Sequence, residues 1–198
     1  MSTEAHPISA AQEAVAPEPL LEGIDPDQRV EIINGALVEM SPVGFLHHII
    51  AGNIFTLLNE FVRANRLGYV MMDGLLYLMH KTSGLRGALV PDVSYISKAS
   101  LPAEWDQHKP FPGAPTLAVE VISPDETALK INQKLKIYLE AGTAEVWIVY
   151  PEAEEVYQYR ADAMDTIRVY RGEATIPCAP LEGLAITAAQ CFAQPKLD

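Results

Sequence analysis

One run in the chain is apolar on both faces. Leu117-Ala118-Val119-Glu120-Val121-Ile122 has a single polar residue, and it predicts a central strand covered on both sides. Ser123-Pro124-Asp125-Glu126 follows with the spacing of a capping box, proline taking the first helical position. An apolar stripe of Ala128, Ile131, Leu135, Tyr138 and Leu139 then predicts a helix to Ala141 that stops at Gly142. Residues 145–150 return to a buried-strand pattern, so strand, helix and strand predict a right-handed parallel crossover.

Upstream, residues 30–33 and 36–40 flank Asn34-Gly35, the dipeptide of a two-residue hairpin. Ser41-Pro42-Val43-Gly44 breaks the strand. The period then becomes helical over residues 45–65, with Leu46, Ile50, Ile54, Leu57, Leu58 and Phe61 on one face and Gly68 as the stop. Residues 69–72 and 75–79 read as strands around Asp73-Gly74, residues 81–87 as a polar glycine-containing loop, and residues 92–97 as another strand. Prolines at 102, 110, 112 and 115 make residues 98–115 a long surface loop. Residues 156–160 and 166–170 alternate like antiparallel edge strands, and residues 184–187 form a short terminal strand.

Composition narrows the picture. At 198 residues the chain suits one domain, with residues 1–20, rich in Ala, Pro, Glu and Ser, as a mobile tail and 21–198 as the folded unit. No apolar run is long enough to span a bilayer and no secretory signal is evident, so the expectation is a cytoplasmic protein with no membrane partner. Cys178 and Cys191 form no CxxC pair and are read as structural or incidental. The net charge of −12 argues against a broad basic surface for nucleic acid, although six acids and no Lys or Arg precede Arg29, so half of that charge lies outside the predicted core. Binding to phosphate must therefore be local or rely on a divalent cation.

The chemistry centres on the interruption in the apolar run. A buried, unpaired carboxylate at Glu120 costs several kcal/mol unless a cation relieves it. Asp92, in Val90-Pro91-Asp92-Val93, opens a neighbouring short strand and offers a second acid. A strand and its crossover helix run antiparallel about 10 Å apart. Glu120 lies about 10 Å back from the strand end and Lys134 about 15 Å back along the helix, so the lysine stem bridges the remainder. Lys130 is one turn behind and Lys136 points to the opposite side. Two carboxylates and a carbonyl suit Mg²⁺ or Mn²⁺, which would acidify a water and polarise a phosphodiester while the lysine orients the water or stabilises negative charge. The competing reading is purely structural: Asp92 caps a turn and Glu120 with Lys134 is a buried ion pair. His47 and His48, in the first turn of the long helix, read as surface or packing histidines, since no HExxH spacing accompanies them.

At these residues the chain resembles the Uma-two family of restriction-endonuclease-like proteins, within the PD-(D/E)XK nuclease superfamily. The resemblance spans about residues 28–188. It rests on Val30-Glu31-Ile32-Ile33-Asn34-Gly35, Met40-Ser41-Pro42 followed by His47, Pro91-Asp92-Val93, Val119-Glu120-Val121-Ile122-Ser123-Pro124, Lys134 with Tyr138, and Ala141-Gly142-Thr143-Ala144-Glu145-Val146-Trp147. It implies an α/β (α+β) restriction-endonuclease-like fold: a central mixed sheet flanked by helices, with an N-terminal hairpin and antiparallel edge strands. It further implies a metal site at Asp92, Glu120 and the Val121 carbonyl, and a Mg²⁺- or Mn²⁺-dependent endonuclease acting on DNA. One departure is that Ile122 stands where the superfamily motif has lysine, and the resemblance moves that role to Lys134. Glu31 is the candidate for the superfamily's additional early acid, or else an edge-strand surface residue. His47 matches a family histidine that contacts phosphate or only packs, and Tyr138 is a further candidate. The rivals are a catalytically inactive nuclease-fold interaction module, which the acidic charge favours, and hydrolysis of a small phosphorylated ligand. A homodimer is in keeping with the superfamily, with no sequence feature that fixes it.

Overall fold

A computed structural model describes residues 29–81 and 84–195. The expected tail, and the start of the domain at residue 21, lie outside the described residues. The first hairpin pairs β1 (Val30–Ile33) with β2 (Ala36–Glu39), Ile33 opposite Ala36. Asn34 and Gly35 take φ of 51° and 80°, the two left-handed residues that such a tight connection needs. The hairpin is not peripheral. β1 lies between β2 and β5 (Gly84–Leu89), and β4 (Tyr77–Lys81) completes a four-stranded sheet. The expected polar loop at 81–87 is therefore mostly strand. Gly87 misled the reading because its reason is contact, not turning: a Cβ there would meet the Ile32 carbonyl oxygen and Ile137 Cγ2 at 2.9 Å.

Helix α1 (Phe45–Asn65) has the expected span, but its buried stripe is rotated. His47, Ile50, Ala51, Ile54, Leu58 and Val62 face the core, while Leu46 is 37% exposed. The helix ends at Arg66, in the left-handed region, rather than at Gly68. Gly68 instead opens β3 (Gly68–Met72), where a Cβ would collide with the Ile96 carbonyl oxygen at 2.0 Å.

A second, six-stranded sheet has the order β10-β9-β8-β7-β6-β3. Its members are β6 (Val93–Ser97), β7 (Leu117–Val121), β8 (Glu145–Tyr150), β9 (Glu155–Arg160) and β10 (Ile167–Arg171). β7 and β8 are parallel, joined through α2 (Ala128–Glu140), and the other pairs are antiparallel, so the sheet is mixed as expected. The capping box at Ser123 does not form. β7 ends at Val121, the Glu126 N–H bonds the Ser123 carbonyl in a turn, and Thr127 caps the helix by accepting from the Lys130 N–H. Both sequences can cap a helix; the chain uses the first to leave the sheet and the second to start the helix.

The six-stranded sheet separates two cores. Val93, Tyr95, Leu117, Val119, Val121, Trp147 and Val149 pack with α1. Ala118, Ile96, Val146 and Ile148 pack on the other side with α2 and the four-stranded sheet. Residues 98–115 have a 3-10 turn at Lys98–Ser100 and no longer helix or strand. The segment is not merely superficial, because Phe111 is buried against Tyr77 and Trp105. The chain closes with the strand pair β11 (Thr175–Ile176) and β12 (Ile186–Thr187) and the short α3 (Ala188–Phe192). Among the described residues no helix is long and apolar enough to cross a membrane.

Candidate active site

The three residues Val90-Pro91-Asp92 carry the chain from β5 in one sheet to β6 in the other. Pro91 has no N–H to give a ladder, so pairing resumes at Val93, opposite Val119. Asp92 is the residue just before β6, one position beyond that pair, and so stands beside the C-terminal end of β7. Asp92 Oδ2 accepts the Val121 N–H at 2.7 Å and lies 3.2 Å from His47 Nε2. The Asp92 carbonyl accepts the Asp73 N–H at 2.9 Å.

Glu120 is 5% exposed, and both of its oxygens are engaged. Lys134 Nζ donates to Oε2 at 2.5 Å and the Tyr138 hydroxyl donates to Oε1 at 2.6 Å. The two donors are four residues apart on α2 and so share the face that also buries Ile131 and Ile137. Lys134 also reaches Glu31 Oε1, at 3.1 Å, and the same oxygen accepts the Val90 N–H. Glu31 is thus buried within the site, not on an edge-strand surface, because β5 covers the flank of β1 that a free hairpin would leave open. Lys130 stays on Glu126, 3.8 Å away, and Lys136 is on the outer face with Glu140, its side chain 73% exposed.

This arrangement brings together residues from β1, α1, the β5–β6 link, β7 and α2. The sequence model of one family, described as "Putative restriction endonuclease", matches residues 17–189. The chain belongs to the Uma2 family. Membership supports a nuclease function. A crystal structure titled as a putative nuclease belonging to DUF820, from Anabaena variabilis ATCC 29413, has the same fold. It aligns with a TM-score of 0.70 and 21% sequence identity, over 82% of this chain and 89% of that one. No curated protein matches the chain.

The electrostatics of this Uma2 site follow from burial. Burial raises Glu120, with Lys134 opposing and the charges of Glu31 and Asp92 adding to the rise. Burial would lower Lys134, but the carboxylates of Glu120 and Glu31 outweigh it and hold the ammonium charged. Tyr138 is pushed well up by burial and then by the charge of Glu120, so its phenol remains a donor. His47 is lowered by burial, yet its hydrogen bond to Asp92, the charge of Asp92 and a hydrogen bond to the Val121 carbonyl leave it raised on balance. Its Nδ1 is buried with no hydrogen-bond partner.

Do these residues fit the cation that the family resemblance implies? The donors are oxygens, as Mg²⁺ and Mn²⁺ require. Glu31, Asp92 and Glu120 outnumber the one ammonium by two charges when His47 is neutral, which is the charge of one divalent cation. Among the described residues no group of three His, Cys, Asp or Glu side chains is poised around a common metal position. The implied set has only two side chains and a carbonyl, so the residues fit a hard cation as a sparse ligand set.

The sequence reading passed over three nearby polar residues. Asp73 pairs with Arg29 and its charge acts on His47. Ser94, on β6, shares a buried hydrogen bond of 2.6 Å with the Tyr77 hydroxyl. Glu145 is a further buried carboxylate, on the face of the sheet opposite to Glu120. Its Oε1 accepts from Trp147 Nε1 at 2.6 Å and Gln158 Nε2 at 2.7 Å, and its Oε2 accepts the Ala179 N–H at 3.0 Å. Position 145 stands at the very start of an apolar run, where an acid looks like strand punctuation, and two of its three donors are remote in sequence.

Proposed function

We propose that the protein is a divalent-cation-dependent nuclease that hydrolyses phosphodiester bonds in DNA, with Mg²⁺ or Mn²⁺ as cofactor. The observation that carries this reading is the arrival of Lys134 on Glu120 from a separate element, with Asp92 accepting the N–H of the next residue, Val121. Asp92, Glu120 and the Val121 carbonyl would hold the cation, which when bound supplies positive charge to acidify a water and polarise the phosphodiester. Asp92 is aimed by the Val121 N–H and His47. Glu120 is aimed by Tyr138 and Lys134. Lys134 keeps its proton at neutral pH, so it acts as a donor that orients the water or stabilises charge growing on the scissile phosphate.

One observation favours a second reading, a catalytically inactive nuclease-fold interaction module. The Glu120 carboxylate is closed over by its own donors, and the chain is acidic. Nicking of supercoiled plasmid separates the two. The nuclease reading expects Mn²⁺-dependent nicking by the wild type and none by Asp92→Ala. A wild type that neither nicks DNA nor gains thermal stability from Mn²⁺ leaves the interaction module as the answer.

A further inference from the structure

Lys134 stands between two carboxylates, and only one of them belongs to the implied cation ligands. Its Nζ lies 2.5 Å from Glu120 Oε2 and 3.1 Å from Glu31 Oε1. Glu31 Oε1 faces the ammonium and also accepts the Val90 N–H, in the link that carries Asp92. With its charge directed at Lys134, Glu31 has no role in the nuclease scheme as a ligand. An ammonium resting on Glu120 would face a dication across a single carboxylate, and like charges in a buried site repel strongly. A second acceptor already within reach of Nζ offers a short way out.

Resting on the cation reading above, we propose that Glu31 is a positioning residue: it takes over the Lys134 ammonium when Glu120 engages the cation. Lys134 then remains charged and beside the scissile phosphate, Glu120 is freed to face the cation, and the buried charges balance. The N-terminal hairpin is thereby a working part of the site, since β1 alone supplies this acceptor.

The probe is Mn²⁺ alone, titrated calorimetrically into the full chain. Glu31→Gln keeps an oxygen for the Val90 N–H and removes only the charge. Its Mn²⁺ affinity is expected to fall roughly ten- to a hundredfold, the effect of one unit charge several ångströms away at intermediate dielectric. Lys134→Met is expected to bind Mn²⁺ more tightly than the wild type, and the double variant to return close to wild-type affinity. A crystal of the wild type soaked in Mn²⁺ gives a readout that needs no variant to fold: Nζ is expected nearer to Glu31 than to Glu120. Unchanged Mn²⁺ affinity in Glu31→Gln, Mn²⁺ coordinated directly by Glu31, or Lys134 still seated on Glu120 in the soaked crystal overturns the proposal and leaves the cation site standing. A wild type that binds no Mn²⁺ overturns the cation reading, and the proposal with it.

Discussion

Two glutamates are buried in adjacent parallel strands, and they are treated in opposite ways. Glu145, at the start of β8, is satisfied by an indole N–H, an amide and a backbone N–H. These donors come from β8, β9 and residue 179, so the carboxylate ties the C-terminal segment to the sheet. Glu120, near the end of β7 and on the other face, receives an ammonium and a phenol, with two more carboxylates close enough to raise it. Neutral donors can complete a buried carboxylate and fix a structure. A lysine among three acids is not complete in that sense, because negative charge remains for something else to meet. Burial of an acid is therefore no sign of a site; what matters is whether the surrounding charges close.

The sharpest way to break this comparison is Lys134→Ala. If Lys134 acts on the reaction, Mn²⁺-dependent nicking should fall roughly a hundred- to a thousandfold, the loss of about 2.7–4 kcal/mol of barrier. If it is only the ion-pair partner of Glu120, the same change should appear as about 3–5 kcal/mol of lost stability. Measuring nicking rate and unfolding free energy on one preparation separates these outcomes. A protein that folds normally and nicks at the wild-type rate removes Lys134 from the site. Lys136→Ala, on the exposed face with Glu140, should change neither quantity appreciably.

Glu145→Ala tests the other member of the pair. It leaves the Trp147, Gln158 and Ala179 N–H groups without their acceptor, although Gln158 keeps the Pro177 carbonyl. The expected loss is about 3 kcal/mol of stability, from a buried set of donors left short of partners. Whatever thermal stabilisation Mn²⁺ gives the wild type should persist in this variant and vanish in Asp92→Ala. A Mn²⁺ response lost in Glu145→Ala, with the fold intact, would mean that the two carboxylates are not separate in function.

How far the sequence revealed this contrast depends on how local each signal was. Glu120 was legible because it interrupts an apolar strand, and Lys134 because a helix has a fixed pitch. The predicted boundaries were wrong at both ends of the connection: β7 stops at Val121, and α2 starts at Ala128 instead of Pro124. The two errors shorten the strand and the helix together, so Lys134 still lands beside Glu120. Glu31 was reachable only through family resemblance, since its burial depends on β5, a strand hidden by Gly84 and Gly87. Glu145 had little local signal, since only Trp147 among its donors is a near neighbour in sequence. Gln158 and residue 179 complete it from thirteen and thirty-four residues away, and hydropathy patterns carry no information about such pairings.

The smallest expected effect is a slope with pH, and it too distinguishes the two ends of the sheet. His47 faces Asp92, the Val121 carbonyl and, further off, Asp73, and is held above its ordinary 6.5. A histidine raised in the folded state contributes stability that is fully present below its unfolded value and is lost as pH rises through the raised one. In cation-free protein, the unfolding free energy should therefore decline from just below pH 6.5 upwards, and His47→Gln should remove that part of the decline. None of the donors to Glu145 titrates in this range, so Glu145→Ala should shift the whole curve down without changing its slope there. Denaturant melts at several pH values in the presence of a chelator measure both. Glu120 is also raised, by burial, so it adds a decline of its own that His47→Gln leaves in place. A slope in His47→Gln as steep as in the wild type would leave His47 as a residue that packs against Asp92 without holding it.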